Sequence, residues 1–481
     1  MKTRRYNTNI AIKWALCACM LTALWGMSFD VFAKATTKPA TQTAKKAQKK
    51  GRWEVHEWGT FTSTQGSDGK LLEGMHHEEE RLPRFVHNLA GAGRGRITKG
   101  IPKTTPPAKV TQRLETPVIY FYTDRPRKVE VKVDFPKGVI SEWYPDAAHY
   151  RSNLSKPGWI PAKGSMTWKG EVKNGPASFP YVHPTNIWTP SRHVPDAAPF
   201  HTTGRMAYRR RRKQAERFIF YRGIGRFRSW VRVSTEKGKL WTLHNRSEDT
   251  IPSGIVLNVT SLGGSWRAFG PIKGKSQLTV KAPGTAMHRG MFLHQVKRAL
   301  VKQLMRSGLT KDESWAMVHT WHSSYFKLPG KRVLYIVPRV WTDRLLPIKI
   351  TPKPNKLVRT LVGRIEFLTP DDESSLLYHF KNFYASNRKN YNKLLEDVVK
   401  RRERLRKSLR FLKNPIEKKH VLRRMKNLRP DVESFIWELN KILGWGRLTE
   451  PKLRRMMFLL KGKKIKSFCK ELIRDISRQA F

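Results

Sequence analysis

The chain has 481 residues, of which 39% are hydrophobic, and it carries a formal net charge of +58. This length and apolar content allow two or three separately cored domains. The charge indicates a polyanion partner, such as nucleic acid, lipopolysaccharide phosphate or an acidic glycan, or else a solvated basic surface without a dedicated ligand. No helix-turn-helix, RNA-recognition or zinc-finger signature accompanies the charge, which excludes these common nucleic-acid-binding modules.

Residues 1–33 have the organisation of a signal peptide. Three basic residues among the first five precede an apolar run over residues 14–29, and cleavage after Ala33 fits the small-residue rule. We therefore expect export to the periplasm or the extracellular space. Lipoprotein processing near Cys17 or Cys19 and a retained N-terminal anchor are the alternatives. The mature chain has no further segment long and apolar enough to span a bilayer.

The mature chain begins with a segment that has no large apolar side chains with which to form a core. Residues 34–51 lack any large apolar side chain and are rich in lysine, so we predict a flexible basic linker. Cys469 is the only cysteine after the signal peptide, which excludes an internal disulfide. The stability of the folded part must therefore come from packing.

Residues 52–115 are predicted to form an N-terminal module in which metal-capable side chains are concentrated. Its two motifs are Val55-His56-Glu57-Trp58-Gly59-Thr60-Phe61-Thr62 and Met75-His76-His77-Glu78-Glu79-Glu80-Arg81, with a Gly66-Ser67-Asp68-Gly69 turn between them. The candidate ligands for a divalent ion such as zinc are His56, His76, His77, Glu80 and His87. In a metal-dependent hydrolase built on this cluster, Glu57 or Glu78 would activate water.

A non-catalytic interpretation of the same residues stays open. The second motif is not H-E-x-x-H, because Arg81 stands where the second histidine would have to be. Glu78 could instead pair with Arg81, and Glu80 with Arg84, on a solvated helical turn.

Residues 116–285 read as β-structure. Apolar and polar residues alternate strictly over residues 129–135, which predicts a strand with one face in a core. Similar short runs separated by Gly, Pro and Asn favour an antiparallel β-sandwich-like domain. Residues 150–203 are rich in Pro, Trp and His without a period, and are predicted to be a long surface excursion from it.

The remaining chain is predicted to be mainly helical. Residues 286–368 are expected to hold a helical hairpin plus strands, with Thr310 and Glu313 as a capping box. Residues 369–481 are predicted to form a basic α-helical region, opened by Thr369 and Pro370, with a HEAT-like arrangement as one interpretation. The predicted fold class is thus α+β. Within the helical hairpin, residues 319–326 could supply a histidine base and a serine nucleophile, but aromatic packing at a helix end is the favoured interpretation.

Several blocks of residues 53–368 together resemble a family of exported bacterial proteins. They are His56-Glu57-Trp58-Gly59-Thr60-Phe61-Thr62, Gly66-Ser67-Asp68-Gly69, His76-His77-Glu78-Glu79-Glu80, Leu114-Glu115-Thr116-Pro117-Val118-Ile119-Tyr120-Phe121-Tyr122 and Val337-Pro338-Arg339-Val340-Trp341-Thr342-Asp343. The resemblance implies export and no particular activity.

Three hypotheses of function follow from the sequence. The first is an exported cell-envelope protein with a binding or scaffolding role toward an envelope component. The second is the metal-dependent hydrolase that uses the N-terminal His/Glu cluster. The third is a polyanion-binding protein that acts through its basic linker and C-terminal helices.

Overall fold

A computed structural model describes residues 51–76, 80–88, 109–152, 163–207, 210–236, 239–444 and 446–479. The strands are β1 (Trp53–Gln65), β2 (His87–Asn88), β3 (Gln112–Thr123), β4 (Arg127–Phe135), β5 (Gly138–Tyr144), β6 (His149–Ser152), β7 (Gly164–Val172), β8 (Phe200–Ala207), β9 (Arg210–Glu216), β10 (Ile219–Gly225), β11 (Val231–Glu236), β12 (Leu240–Asn245), β13 (Gly254–Val259), β14 (Gly263–Phe269), β15 (Gln277–Lys281), β16 (Met287–His288), β17 (Gly330–Ile336), β18 (Ile348–Thr351) and β19 (Lys356–Phe367). The helices are α1 (Thr189–Arg192), α2 (Arg289–Arg306), α3 (Lys311–Thr320), α4 (His322–Phe326), α5 (Arg339–Leu345), α6 (Pro370–Leu409), α7 (Pro415–Asn427), α8 (Glu433–Leu443), α9 (Thr449–Leu459) and α10 (Lys463–Gln479).

The predicted α+β class is confirmed: a β-sandwich-like region is followed by a helical C-terminal region. The largest sheet has the strand order β16-β14-β13-β17-β19-β1-β3-β10-β5-β2. Two smaller sheets, β18-β4-β7-β8-β9 with β6 beside β7, and β11-β12-β15, contribute to the core on one of its faces. Helices α2, α3 and α4 pack on the other face.

Strand β1 lies near the centre of the large sheet and joins segments that are distant in sequence. It pairs antiparallel with β3 and parallel with β19, so that His56 stands beside both Tyr120 and Val358. The segments predicted as three units, residues 52–115, 116–285 and 286–368, therefore all contribute strands to one sheet. The parallel pairing of β1 with β19 has no local signal in the sequence, because it depends on side-chain pairing between strands that are distant along the chain.

Several local predictions are confirmed. Strand β4 has the alternating burial expected from its sequence. Thr310 with Glu313 and Thr369 with Asp372 form complete capping boxes at the starts of α3 and α6. No helix in the described ranges is long and apolar enough to cross a membrane.

The predicted surface excursion over residues 150–203 is wrong in its central part. That part contains β7, whose Met166, Trp168 and Val172 are fully buried in the core between the sheets. These apolar residues sit at even-numbered positions of the strand, with Thr167, Lys169 and Glu171 at the odd-numbered positions between them. The many Pro and His residues on either side masked this short alternation.

The C-terminal helices have a core of their own. Phe468 on α10 is fully buried and its ring contacts Phe380, Phe383, Tyr391 and Phe435 from α6 and α8. Such aromatic clusters bury a large apolar area and fix the helices relative to one another.

Candidate functional site

His56 and Glu57, adjacent in the first motif, lie on opposite faces of the large sheet. Successive side chains of a strand point to opposite sides. His56 faces the layer of α3, whereas Glu57 faces the core between the sheets, where it meets Tyr221. His56 and Glu57 are therefore neighbours in sequence but lie on opposite sides of the sheet.

The His56 ring joins β1 to helix α3. Its Nδ1 lies 3.0 Å from each carboxylate oxygen of Glu313, and Tyr122 donates its hydroxyl to the same carboxylate at 2.7 Å. The backbone N–H of Thr310 also donates to Glu313, at 2.7 Å. On the other side, Nε2 of His56 is 3.5 Å from Glu54. The ring thus lies between two carboxylates, an arrangement that holds α3 on the sheet.

Glu57 is fully buried in an ion pair. Its carboxylate accepts hydrogen bonds from the Tyr221 hydroxyl and from Nε of Arg359, both at 2.5 Å. Arg359 also donates from Nη1 to Asp343 at 2.8 Å. Burial acts to lower the pKa of the Arg359 guanidinium, but the charges of Glu57 and Tyr221 and the hydrogen bonds to Glu57 and Asp343 together raise that pKa. Both oxygens of the predicted water-activating group are therefore engaged by protein.

His76 pairs with a carboxylate of the C-terminal region. Its Nδ1 lies 3.0 Å from Oε2 of Glu450, and both side chains are buried. Burial acts to raise the pKa of Glu450, but the hydrogen bond from His76 and the charges of His76 and Arg454 lower it to about 2. The pair fixes α9 against the segment that follows the Gly66–Gly69 turn.

His87 has surroundings of its own. His87 stands on β2 with its ring 5.7 Å from that of Trp143 and its Nε2 4.0 Å from Asp146, and burial lowers its pKa. Glu80 is half-buried, and His77 and Glu78 lie outside the described residues. Among the described residues, no three His, Cys, Asp or Glu side chains come together in a way that could hold a metal ion. The metal site therefore stays a prediction.

We expect the His76–Glu450 pair to stabilise the fold in a pH-dependent way. Because the folded-state pKa of Glu450 is below its ordinary value of 4.5, its contribution is fully present above about pH 4.5 and is lost as the pH falls toward 2. The free energy of unfolding of Glu450→Gln should be well below that of the parent near neutral pH, and the difference should shrink with acidification. Urea denaturation at several pH values measures this. Exposed Glu433→Gln on α8 is the control, and a pH-independent gap would contradict the assignment.

Further buried ion pairs dock the helical region on the sheet. Arg447 donates to Glu115 of β3, and Arg455 of α9 donates to Glu373 of α6 at 2.7 Å. Glu373 in turn accepts from the backbone N–H of Ser67 at 2.8 Å. The C-terminal region is thus anchored to the N-terminal turn at several points.

One part of this region extends from the anchored part without burying any residue. The basic hairpin, as we name residues 399–429, consists of the C-terminal end of α6, a short turn and α7. None of its residues is buried, and α7 contributes nothing to the core.

The basic hairpin has an extreme charge. Residues 400–429 contain fourteen Lys and Arg residues against two acids, Glu403 and Glu417. Within the described chain, no side chain of this hairpin forms an ion pair. Half-buried Leu405 and Leu409 on α6, and Val421 and Met425 on α7, recur at helical spacing as the seam of an antiparallel pair. Thirteen of the fourteen cations are exposed to solvent, and Arg429 is half-buried.

Apolar side chains are exposed where the two helices meet. Phe411 is 83% exposed in the turn, and Ile416 is 67% exposed in the first turn of α7. Asn414 caps α7 by accepting the Ile416 N–H at 2.8 Å. An exposed Phe and Ile at the end of a projecting, basic helix pair form an apolar tip surrounded by cations. The charge of the hairpin is visible in the sequence, whereas its projection from the core follows from its lack of buried residues.

No protein-family model matches this chain, and no curated protein matches it. Among solved structures, the yeast delta-COP-I mu-homology domain is similar, with 6% sequence identity over 66% of this chain and 96% of that chain. Its TM-score is 0.23. So low a score does not indicate a shared fold.

Proposed function

We propose that this chain is an exported cell-envelope protein that binds an anionic lipid surface through the basic hairpin. The observation that carries the proposal is the combination of fourteen cations, none of them in an ion pair within the described chain, with an exposed apolar tip, on a hairpin in which no residue is buried. The predicted signal peptide would deliver the protein to a compartment in which phospholipid and lipopolysaccharide phosphates are the abundant polyanions.

The charge supplies the attraction. A Lys or Arg close to an anionic lipid surface contributes about 1 kcal/mol, and the attraction is screened within a Debye length. The hairpin cations have no carboxylate partners in the described chain, so binding would not have to break ion pairs first. Affinity should accordingly fall as salt is added.

The apolar tip distinguishes a lipid surface from other polyanions. A duplex nucleic acid or an acidic glycan offers phosphate, sulfate or carboxylate groups, but it has no hydrocarbon layer in which Phe411 and Ile416 could be buried. A bilayer interface offers both, with anionic headgroups beside the acyl boundary. Transfer of one large apolar side chain from water contributes roughly 1.5–3 kcal/mol.

Vesicle binding tests the proposal with the protein lacking residues 1–33. We expect binding to vesicles of phosphatidylglycerol mixed with phosphatidylcholine, and little binding to phosphatidylcholine alone. Phe411→Ser/Ile416→Ser should weaken vesicle binding by roughly 100-fold or more. It should leave binding to heparin unchanged, because heparin has no apolar layer.

A matched double substitution controls for loss of exposed apolar surface. Leu262 is 81% exposed and Met291 is 58% exposed, on other elements. Leu262→Ser/Met291→Ser should bind vesicles like the parent. Equal losses for heparin and vesicles in the tip variant, or tighter binding to duplex DNA than to vesicles, would overturn the lipid assignment in favour of a general polyanion binder.

The metal-dependent hydrolase remains the rival prediction. The described His56 and His76 pair with separate carboxylates, Glu313 and Glu450. A stoichiometric divalent metal in protein purified without chelators would favour that alternative.

A further inference from the structure

A second group of basic side chains lies in the helical layer that covers the large sheet. Lys297 belongs to α2, His319 ends α3, His322 begins α4 and Lys327 follows it. The ring of His319 lies 5.3 Å from that of Trp315, one turn earlier on α3. His193 approaches from the end of α1, which is tied to α3 by contact of the Ser191 and Thr320 hydroxyls at 3.3 Å. We call these side chains the His322 cluster.

The His322 cluster contains no counter-charge. In the described ranges of the chain, none of its side chains forms an ion pair with a carboxylate. Burial, and then the charges of Lys297, Lys327 and His319, lower the pKa of His322 to about 4. Burial, Lys297 and His193 lower the pKa of His319, and burial with Lys327 lowers that of Lys297. Every charged group that acts on His322 is therefore basic.

The cluster also contains a buried polar atom whose hydrogen-bonding capacity is unused. Nδ1 of His322 is buried and has no hydrogen-bond partner among the described residues. Buried polar atoms of this kind are rare and normally meet a water, an ion or a ligand.

We infer that the His322 cluster binds the phosphate or sulfate group of a small ligand. The anion would supply the negative charge that the cluster lacks, between the ammonium groups of Lys297 and Lys327. The protonated ring of His322 would donate an N–H to its oxygens. This site shares no residue with the basic hairpin, and so it does not depend on the proposed lipid binding.

Proton linkage gives the site a signature that ordinary surface lysines lack. A bound anion stabilises the protonated imidazole, and so it raises the pKa of His322 from its depressed value of about 4. Binding must then take up a proton, and it must become tighter as the pH falls from neutrality toward that value. Sulfate is the suitable probe because it remains a dianion throughout this range.

Sulfate titration followed by histidine NMR signals and by calorimetry tests the inference. The His322 signal is assigned by its loss in His322→Gln. We expect the parent to bind sulfate roughly tenfold more tightly near pH 5 than near pH 7, with the His322 signal shifting. His322→Gln should retain the weaker neutral-pH binding and lose its increase on acidification. Lys297→Met should lose binding at both pH values, whereas exposed Lys302→Met on the same helix should bind like the parent.

Two outcomes would overturn the inference. One is a His322 signal unmoved by sulfate at either pH, which would show that any heat of binding arises elsewhere on this basic chain. The other is unchanged affinity in a folded Lys297→Met variant, with folding checked by circular dichroism. A parallel titration with glycerol phosphate distinguishes the two sources of the anion: tighter binding than sulfate assigns the site to a phosphate ester, and equal binding assigns it to the free ion.

Discussion

Removing six cations from the basic hairpin should reduce affinity for anionic vesicles by roughly 1,000-fold or more. Each Lys or Arg near such a surface contributes about 1 kcal/mol, and every 1.4 kcal/mol is a factor of ten. The substitutions replace exposed residues by Gln, which retains helix propensity. The positions are Arg401, Arg402, Arg406, Lys418, Lys419 and Arg423. The free energy of unfolding should change little, because none of these side chains is buried or paired.

A second variant with the same net charge separates local from global electrostatics. It carries Gln in place of six exposed cations on the β-sheet region, at Lys239, Arg267, Lys273, Lys281, Lys349 and Lys353. Vesicle cosedimentation at low and high salt should show near-parent binding for this control. The salt dependence of the hairpin variant should also be flatter than that of the parent. If both variants lost affinity equally, the overall charge of the chain and not the hairpin would be responsible.

Much of the local structure was readable from the sequence because its causes are local. The alternation in β4 and the capping boxes at Thr310 and Thr369 each depend on residues within a few positions of one another. The α+β class follows from the succession of such signals along the chain.

The surroundings of the candidate site could not be predicted, because its partners are remote in sequence. His56 meets Glu313, 257 positions away, and His76 meets Glu450, 374 positions away. No periodicity or spacing encodes such pairs. Because β1 is a strand, His56 and Glu57 point to opposite faces of the sheet, and these two neighbours cannot share one metal or one water.

The basic hairpin illustrates an intermediate case. Its helices and its charge were visible in runs such as residues 401–407, but a basic helix can equally well pack one apolar face on a core. Between residues 399 and 429 the apolar residues suffice for one narrow seam, and Val399, Phe411, Ile416 and Leu422 are left exposed. The apolar residues that one seam cannot bury therefore indicate a projecting element.

We expect Arg359→Met to lower the free energy of unfolding by roughly 3–5 kcal/mol, because it leaves the buried Glu57 carboxylate without its counter-charge. Glu57 has no exposed surface, and its remaining hydrogen-bond donor would be the Tyr221 hydroxyl. Chemical denaturation measures the loss. Lys356→Met, an exposed position on the same strand whose ammonium lies 3.8 Å from Glu54, should cost less than about 1 kcal/mol.

The double variant Glu57→Leu/Arg359→Met tests whether Glu57 has a structural or a catalytic role. If the pair is structural, removing both charges should recover part of the stability lost by Arg359→Met alone, since no uncompensated carboxylate stays buried. Recovery would be incomplete, because Tyr221 and Asp343 also lose a partner. If Glu57 instead reached solvent as a water-activating base, Arg359→Met would cost no more than Lys356→Met. That result would mean that the Glu57 carboxylate is accessible to water, as the hydrolase hypothesis requires.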